Sequence, residues 1–290
     1  MHFRIVSPSA CVDMEHIQLA QTQLESLGHR VSLGEHVFAQ SRYLAGTAEQ
    51  RIYDLKAASL DPDVDVIWCG RGGTGAAMLL PWLDNWILNK PLIGYSDSTV
   101  LLNYIARLGG KALHGPVFQE IAIKNIDHSP LSYDALKTIS LLNADPGRRQ
   151  HYALSSHNCF TQQQSHDTLQ VLGGNLTVLC SLQGTPYSLQ LTQASALLLE
   201  DVGEPYYRIE RSLVQLLQSI DTSLLKAVVL GDFYHCPQKN VPLSISEIVA
   251  EHLEPLNIPL YQCDWFGHGE LNRPFWIGQT GQIINSQLIL

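Results

Sequence analysis

The chain has little charge, and most of that charge is negative. Charged residues make up 16% of its 290 residues, and 27 Asp and Glu outweigh 18 Lys and Arg. No run of basic residues interrupts this acidic background. Because nucleic acids and anionic membrane surfaces attract positive charge, the composition argues against both as partners. The hydrophobic content of 45% excludes an intrinsically disordered chain.

Long apolar runs and paired cysteines are also missing. No stretch approaches the roughly 18 apolar residues that a membrane span needs. The N-terminal segment lacks the basic, apolar and small-residue regions of a signal peptide. The six cysteines form no C-x-x-C motif and lie far apart, at Cys11, Cys69, Cys159, Cys180, Cys236 and Cys263. These absences predict a protein of a reducing compartment, the cytoplasm.

Metal-binding motifs are absent as well. The chain contains no H-E-x-x-H and no H-x-H sequence, and its cysteines are unpaired. His151, His157 and His166 share a polar segment, but their spacing is too loose for a ligand set. We therefore expect no metal and no other cofactor.

The first half of the chain alternates between strand and helix patterns. Short connections between such elements predict a parallel sheet covered on both faces, in a doubly wound α/β domain over residues 1–143. The predicted strands are Phe3–Ser7, Val31–Phe38, Val64–Cys69 and Pro91–Tyr95, and the predicted helices are Met14–Leu27, Ala48–Leu60, Gly75–Leu80 and Ser98–Leu108.

The second half has more strand patterns than helix patterns. A polar, turn-rich segment comes first, and we interpret residues 144–166 as a linker, part of which could form a strand of the next domain. Residues 167–290 then predict a strand-rich domain with one helix at Ile209–Ile220. Its extended segments are Gln170–Val171, Ala196–Val202, Lys226–Phe233, Pro259–Trp265 and Ile283–Leu290.

A glycine-rich turn follows the strand that ends at Cys69. The sequence Gly70-Arg71-Gly72-Gly73-Thr74-Gly75 contains the G-x-G-x-x-G fingerprint of dinucleotide binding. That fingerprint normally opens the first βαβ unit, whereas about two such units precede this turn. The glycines could instead bring backbone N–H groups close to a developing oxyanion, or merely allow a tight turn.

A serine follows the next predicted strand, in Gly94-Tyr95-Ser96-Asp97-Ser98-Thr99. A serine between a buried strand and a helix projects its hydroxyl above the carboxyl edge of the sheet, beside the free N–H groups of the helix N-terminus. This is the arrangement of a nucleophile elbow, although Ser98 occupies the place of its second glycine. An ordinary helix N-cap explains the same residues.

Two further residues could complete a hydrolytic site. Glu200 directly follows four apolar residues, so we expect it to be partly desolvated at the end of a strand and to need a cationic or hydrogen-bonding partner. A histidine would be such a partner, and a salt bridge to Arg208 or Arg211 is the alternative. His268 stands between two glycines after a predicted strand, which places it on a turn. Ser, Glu and His then occur in the order seen in α/β-hydrolase triads.

Six motifs, taken along the chain, resemble those of the LD-carboxypeptidase family of serine peptidases, the muramoyltetrapeptide carboxypeptidases and their microcin-immunity relatives. Thr74 departs from the family's Tyr, and Trp265 is an additional residue before Phe-Gly-His. The motifs are Arg71-Gly72-Gly73-Thr74-Gly75, Gly94-Tyr95-Ser96-Asp97-Ser98-Thr99, His114-Gly115-Pro116, Gly173-Gly174-Asn175-Leu176, Leu199-Glu200-Asp201 through Arg211, and Phe266-Gly267-His268.

The resemblance implies a Rossmann-like, parallel-sheet N-terminal domain and a β-rich C-terminal domain, with the active site between them. It implies that Ser96 is the nucleophile, that His268 is the general base and that Glu200 orients His268. The backbone N–H groups of Gly73 and Asp97 would form the oxyanion hole. The resemblance also implies a metal-independent reaction and a homodimer.

The function that follows is a cytosolic serine LD-carboxypeptidase that removes the terminal D-alanine from murein tetrapeptides in peptidoglycan recycling. We expect Asn175, Glu204 and Tyr206 to contact this substrate, with Glu204 near the ammonium group at the D-centre of diaminopimelate. Two alternatives stay open. One is a serine amidase that cleaves a microcin-like peptidyl or acyl adenylate, and the other is a muropeptide- or dinucleotide-binding module without activity.

Overall fold

The chain forms two sheets, each within its own unit. The computed structural model describes residues 1–84, 86–124, 131–144, 149–162 and 166–290. Its α-helices are α1 (Met14–Ser26), α2 (Ala48–Leu60), α3 (Thr99–Arg107), α4 (Tyr133–Leu142), α5 (Leu176–Cys180), α6 (Tyr206–Ser219) and α7 (Ile245–Leu253). Its strands are β1 (His2–Val6), β2 (Arg30–Leu33), β3 (Val66–Cys69), β4 (Leu92–Gly94), β5 (Ala112–His114), β6 (His151–Ala153), β7 (Ser155–Ser156), β8 (His166–Asn175), β9 (Ser195–Val202), β10 (Leu225–Tyr234), β11 (Leu260–Gln262), β12 (Phe275–Ile277), β13 (Thr280–Ile284) and β14 (Gln287–Ile289).

The first unit comprises residues 1–144 and 273–277. Its six-stranded sheet has the order β12-β5-β4-β3-β1-β2. Strands β1 to β5 run parallel, as predicted, and β12 pairs antiparallel with β5 at one edge. Phe3, Trp68 and Leu113 from this sheet are fully buried in one hydrophobic core with residues of α1 and α4. The fold class is therefore α/β with a parallel sheet in the N-terminal part.

Local capping signals fix where the helices of the first unit begin. The Asp13 side chain accepts the His16 N–H at 3.0 Å and so starts α1. Thr47 and Gln50 form a reciprocal capping box at the start of α2. The predicted helix at Gly75–Leu80 is wrong in type, because a 3-10 helix spans Ala76–Leu83 and contains Pro81, which has no N–H to donate.

The strand order places the glycine-rich turn at the carboxyl ends of the parallel strands, where a ligand site is expected. The order reverses between β1 and β3, and ligands of such sheets bind outside the carboxyl ends of the strands at this reversal. The loops that follow β1 and β3 meet there, since the Ala10 N–H donates to the Gly72 carbonyl oxygen at 3.2 Å. The residues after β4, which include Ser96, follow the carboxyl end of that strand and so lie at the same end of the sheet.

The second unit comprises residues 145–272 and 278–290. Its eight-stranded sheet has the order β6-β14-β13-β8-β9-β10-β11-β7. The central strands β8 to β11 run parallel, and the outer strands pair antiparallel. Helix α6 buries Ile209, Leu213 and Leu216 at helical spacing, so its apolar face is the one that packs.

Two features of the chain path add to the sequence prediction. The segment interpreted as a linker, 144–166, supplies β6 and β7 to the larger sheet, with β6 pairing to β14 from the end of the chain. The segment 273–277 supplies β12 to the smaller sheet. Both are pairings between segments that are distant in sequence, which periodicity within a short window does not report. Within the described residues, we find no helix whose length and hydropathy would let it span a bilayer.

Candidate active site

Ser96 lies on a strained turn directly after β4. Its φ angle is +59°, in the left-handed region that residues with a Cβ rarely adopt. Such a conformation costs about 1–3 kcal/mol and persists only where the surroundings impose it, most often at functional sites. The hydroxyl-bearing residue of a nucleophile elbow sits on this kind of sharp strand-to-helix turn.

The N-cap explanation of this serine fits the structure less well. Helix α3 begins after Ser98, and no side-chain hydroxyl caps its N-terminus. Ser96 opens a short 3-10 turn, Ser96–Ser98, whose own N-terminus also lacks a side-chain cap. An exposed face remains on Ser96, which is half-buried, whereas Asp97 and Ser98 are buried.

The glycine-rich turn packs directly against Ser96. A Cβ added at Gly72 would lie 2.8 Å from the Ser96 Cβ atom and 2.9 Å from its Oγ atom, so only glycine fits there. The next residue, Gly73, is exposed and has a φ angle of +102°. Asp97 is the second residue of the 3-10 turn, where a backbone N–H has no partner within the helix. The assignment of these two N–H groups to an oxyanion hole stays a prediction.

The Asp97 side chain points away from solvent and into the first unit. It is 6% exposed, and its Oδ2 atom accepts the Ala76 N–H at 2.8 Å. Burial raises the pKa of Asp97, against the lowering effects of the Ser9 hydroxyl, the Ala76 N–H and the Arg51 charge. The sequence predicts a role for the backbone N–H of Asp97 but none for its carboxylate.

Glu200 and His268 lie in contact within the second unit. Glu200 is fully buried on β9, and its Oε2 atom lies 2.5 Å from Nδ1 of His268. A carboxylate on Nδ1 holds the neutral imidazole in the tautomer whose Nε2 atom carries no hydrogen and can accept a proton, and it stabilises the imidazolium that forms afterwards. The pair therefore has the geometry of a general base with its orienting carboxylate.

The alternative partners of Glu200 are engaged elsewhere. Arg208 pairs with Glu204 at 3.3 Å, one helical turn away. The Arg211 guanidinium lies over the Tyr207 ring at 5.5 Å from its centre. We predicted that Glu200 needs a cationic or hydrogen-bonding partner, and in the structure this partner is His268.

The turn that carries His268 is fixed by packing on both sides. Trp265, which departs from the family motif, is buried, and its indole N–H donates to the Ala153 carbonyl oxygen at 3.1 Å. Its ring lies 4.4 Å from that of Tyr152, between ring centres. The additional residue thus anchors the turn to β6, a strand from the segment interpreted as a linker.

A β-bulge brings a second carboxylate to this turn, which sequence reasoning missed. Leu230 pairs with Leu199 and Phe233 pairs with Asp201, so two residues of β10 face Glu200 alone. One of them is Asp232, whose N–H donates to the Phe266 carbonyl oxygen at 2.9 Å. Burial and the Glu200 charge raise the pKa of Asp232, while His268 and the Gly269 N–H lower it. The position of Asp232 after the apolar run 227–230, like that of Glu200, could have marked it as a candidate, but the bulge that brings it to this turn leaves no signal in the sequence.

The predicted substrate-binding residues have different surroundings. Asn175 is 3% exposed, and its carboxamide caps α5 by accepting the Val178 N–H at 3.0 Å and donates to Asp201 at 3.1 Å. These hydrogen bonds give Asn175 a structural role, and its contact with substrate stays a prediction. Glu204 and Tyr206 are half-buried at the start of α6, and they stay candidates.

The dinucleotide alternative loses its structural basis. The glycine-rich turn follows β3, the middle strand of the parallel sheet, and leads into a 3-10 helix. A dinucleotide site instead needs the first βα turn and the N-terminus of an α-helix for the pyrophosphate.

Within the described ranges, no group of three or more His, Cys, Asp or Glu is arranged to hold a metal ion.

Comparisons with known proteins identify the family of the chain. The LD-carboxypeptidase N-terminal domain model, Peptidase S66, matches residues 3–115, and the LD-carboxypeptidase C-terminal domain model matches residues 170–283. The murein tetrapeptide carboxypeptidase of Pseudomonas aeruginosa is 38% identical over 288 residues, which cover 98% of this chain and 93% of that protein.

Solved structures give the same result. The muramoyltetrapeptide carboxypeptidase of Oxalobacter formigenes has a TM-score of 0.84 at 26% identity, covering 99% of this chain and 97% of that one. The microcin C7 self-immunity protein MccF has a TM-score of 0.84 at 20% identity, covering 100% and 95%, a likeness that shows the fold alone. The chain therefore belongs to the LD-carboxypeptidase family, Peptidase S66, and is a serine carboxypeptidase.

Proposed function

We propose that this protein removes the C-terminal D-alanine from murein tetrapeptides. The family membership and the 38% identity to a murein tetrapeptide carboxypeptidase support this substrate class. The observation that carries the proposal is the buried Glu200–His268 hydrogen bond, because a serine hydroxyl needs an oriented general base to attack an amide. We further propose that this pair serves Ser96.

In the first step, Nε2 of His268 takes the proton of the Ser96 hydroxyl as its Oγ atom attacks the scissile carbonyl carbon. That carbonyl belongs to the L-centre of a diaminopimelate or lysine residue. The oxyanion that forms accepts hydrogen bonds from the N–H groups of Gly73 and Asp97, each worth about 2.7–4 kcal/mol by comparison with other oxyanion donors. Glu200 stabilises the imidazolium during this step.

In the second step, the tetrahedral intermediate collapses and the C–N bond breaks. His268 gives its proton to the departing nitrogen, so D-alanine leaves as a neutral amine and the tripeptide stays as an ester on Ser96. Water then loses a proton to His268 and attacks the ester carbonyl carbon. The tripeptide leaves with a new carboxylate, and the proton returns from His268 to Ser96.

The finer points of substrate recognition and cellular role belong to the same proposal. Glu204 and Tyr206 would contact the peptide, with Glu204 exchanging its Arg208 partner for the ammonium group of diaminopimelate. None of the six cysteines, all of which lie within the described residues, forms a disulfide, which suits the reducing cytoplasm and a role in peptidoglycan recycling. A homodimer is expected from the family resemblance, and the molar mass in solution by light scattering tests it.

Incubation with two substrates tests the proposal against its alternatives. We expect a murein tetrapeptide to lose one alanine by mass spectrometry, while a peptidyl adenylate conjugate at equal concentration stays largely intact. Faster cleavage of the adenylate would favour the amidase alternative. Binding of the tetrapeptide without cleavage of either compound would favour the non-enzymatic module.

A further inference from the structure

The carboxylate of Asp97 and the guanidinium of Arg51 grip one peptide unit of the glycine-rich turn from opposite sides. Asp97 accepts the Ala76 N–H at 2.8 Å and also interacts with the N–H of Gly75. Arg51, on α2, donates to the Gly75 carbonyl oxygen at 2.8 Å and to that of Pro8 at 2.6 Å. Both charged side chains are buried, at 6% and 2% exposure.

Burying these two charges costs free energy, and such a cost points to a role beyond stability. Burying a carboxylate and a guanidinium removes both from water, and a pair of this kind is often no more stabilising than apolar residues of the same volume. The Asp97 charge and the Arg51 charge stabilise each other, while most of their hydrogen bonds go to backbone atoms of the turn and of the loop after β1. The hydrogen bonds of the pair therefore fix the position of the backbone.

The backbone that it fixes borders the proposed nucleophile. Asp97 follows Ser96 directly, so the carboxylate ties the strained turn to the far end of the glycine-rich turn. The near end of the same turn is Gly72, where a Cβ would lie 2.8 Å from the Ser96 Cβ atom. Gly73, the predicted oxyanion donor, lies between these two attachment points, with a φ angle of +102°.

We propose that the Asp97 carboxylate is a positioning residue, which holds the glycine-rich turn so that the Gly73 N–H stays aligned with the Ser96 hydroxyl, and that Arg51 is its counter-charge. This inference rests on the proposed function of Ser96 and Gly73. It assigns to the side chain of Asp97 a role separate from that of its backbone N–H. A displacement of reacting groups by about 1 Å can cost about 10²-fold in rate, so a loosened turn would reduce catalysis strongly.

The test is Asp97→Asn, which keeps the shape and the backbone N–H. One carboxamide oxygen can still accept the Ala76 N–H, but its NH2 group cannot accept a second N–H and leaves the Arg51 charge unbalanced. We expect kcat on a murein tetrapeptide to fall by about 10²-fold with KM little changed. The rate at which a fluorophosphonate labels Ser96 should fall with it, since labelling uses the same hydroxyl and oxyanion donors.

Asp54→Asn is the matched control. Asp54 is 3% exposed in the same unit and accepts the His36 N–H at 2.9 Å, so its replacement also neutralises a buried carboxylate that holds backbone. We expect a lower melting temperature with kcat and labelling rate close to those of the wild type. A folded Asp97→Asn protein with wild-type kcat and labelling rate would overturn the inference.

If Asp97→Asn does not fold, Arg51→Lys tests the proposed positioning role instead. Lysine keeps the charge but lacks the Nε and Nη2 groups, which bind the Thr47 carbonyl oxygen and the Met78 sulfur and so fix the guanidinium in place, and the turn should therefore loosen by less. We expect a smaller loss of kcat and labelling rate, measured well below the melting temperature, and unchanged values would contradict the inference. If the wild type is labelled at Ser96 but does not cleave the tetrapeptide, the labelling rates still test the inference while the substrate proposal fails.

Discussion

Replacing Ser96 with alanine is expected to lower kcat on a murein tetrapeptide by about 10³-fold or more. In the proposed mechanism the variant loses the oxygen atom that forms the ester intermediate, and the residual rate would come from binding and the oxyanion donors. Alanine accepts the φ angle of +59° about as well as serine does, so the fold should persist. Release of D-alanine, together with a thermal melt of each protein, measures both expectations.

Ser98→Ala is the control for this change. Ser98 lies two residues further along the same turn and is fully buried, so its replacement removes a hydroxyl from the same segment. Activity close to the wild type is expected. If Ser96→Ala instead released D-alanine at nearly the wild-type rate, Ser96 would not be the nucleophile.

Replacing Glu200 with glutamine is expected to lower kcat by about 10³–10⁴-fold, in line with the effect of the corresponding change in other triads. The carboxamide has nearly the same shape, but it carries no charge to stabilise the imidazolium. Its NH2 group can also donate to Nδ1 of His268, which would move the ring proton to Nε2 and block proton acceptance from the nucleophile. Steady-state kinetics of the folded variant measure the loss.

Asp201→Asn separates this effect from simple loss of a buried carboxylate. Asp201 is the next residue on β9 and is 2% exposed, but its side chain faces α5 and accepts the Thr177 N–H at 2.9 Å. We expect this control to melt at a lower temperature and to keep most of its kcat. Equal losses of kcat in the two variants, or a folded Glu200→Gln protein of near wild-type kcat, would remove Glu200 from the mechanism.

Much of the first unit could be predicted from the sequence because its signals are local. Helix α2 has the predicted bounds, Ala48–Leu60, since a Thr-x-x-Gln capping box marks its start and Pro62 disfavours a helical conformation at the residue before it, Asp61. The parallel strands are short apolar runs between turns, which is the pattern of strands buried on both faces. Helix α4 was missed, because it follows a polar stretch that reads as irregular.

The candidate site also has one part that could be predicted from the sequence and one part that could not. Ser96, Glu200 and His268 could each be identified from a strand end in the sequence, and the structure brings the last two into contact within the second unit. The Asp97–Arg51 arrangement and the bulge at Asp232 could not be predicted. Each depends on residues from separate elements meeting in space, and neither leaves a periodic or compositional signal in the chain.

The identity of the released amino acid tests the central claim most directly. The purified protein would be incubated with a murein tetrapeptide that ends in D-alanine and, separately, with the same peptide ending in L-alanine. Chiral chromatography and mass spectrometry would then follow the products. We predict free D-alanine and the tripeptide from the first peptide and little change in the second. An intact first peptide in the presence of folded protein, or equal release of alanine from both, would contradict an LD-carboxypeptidase.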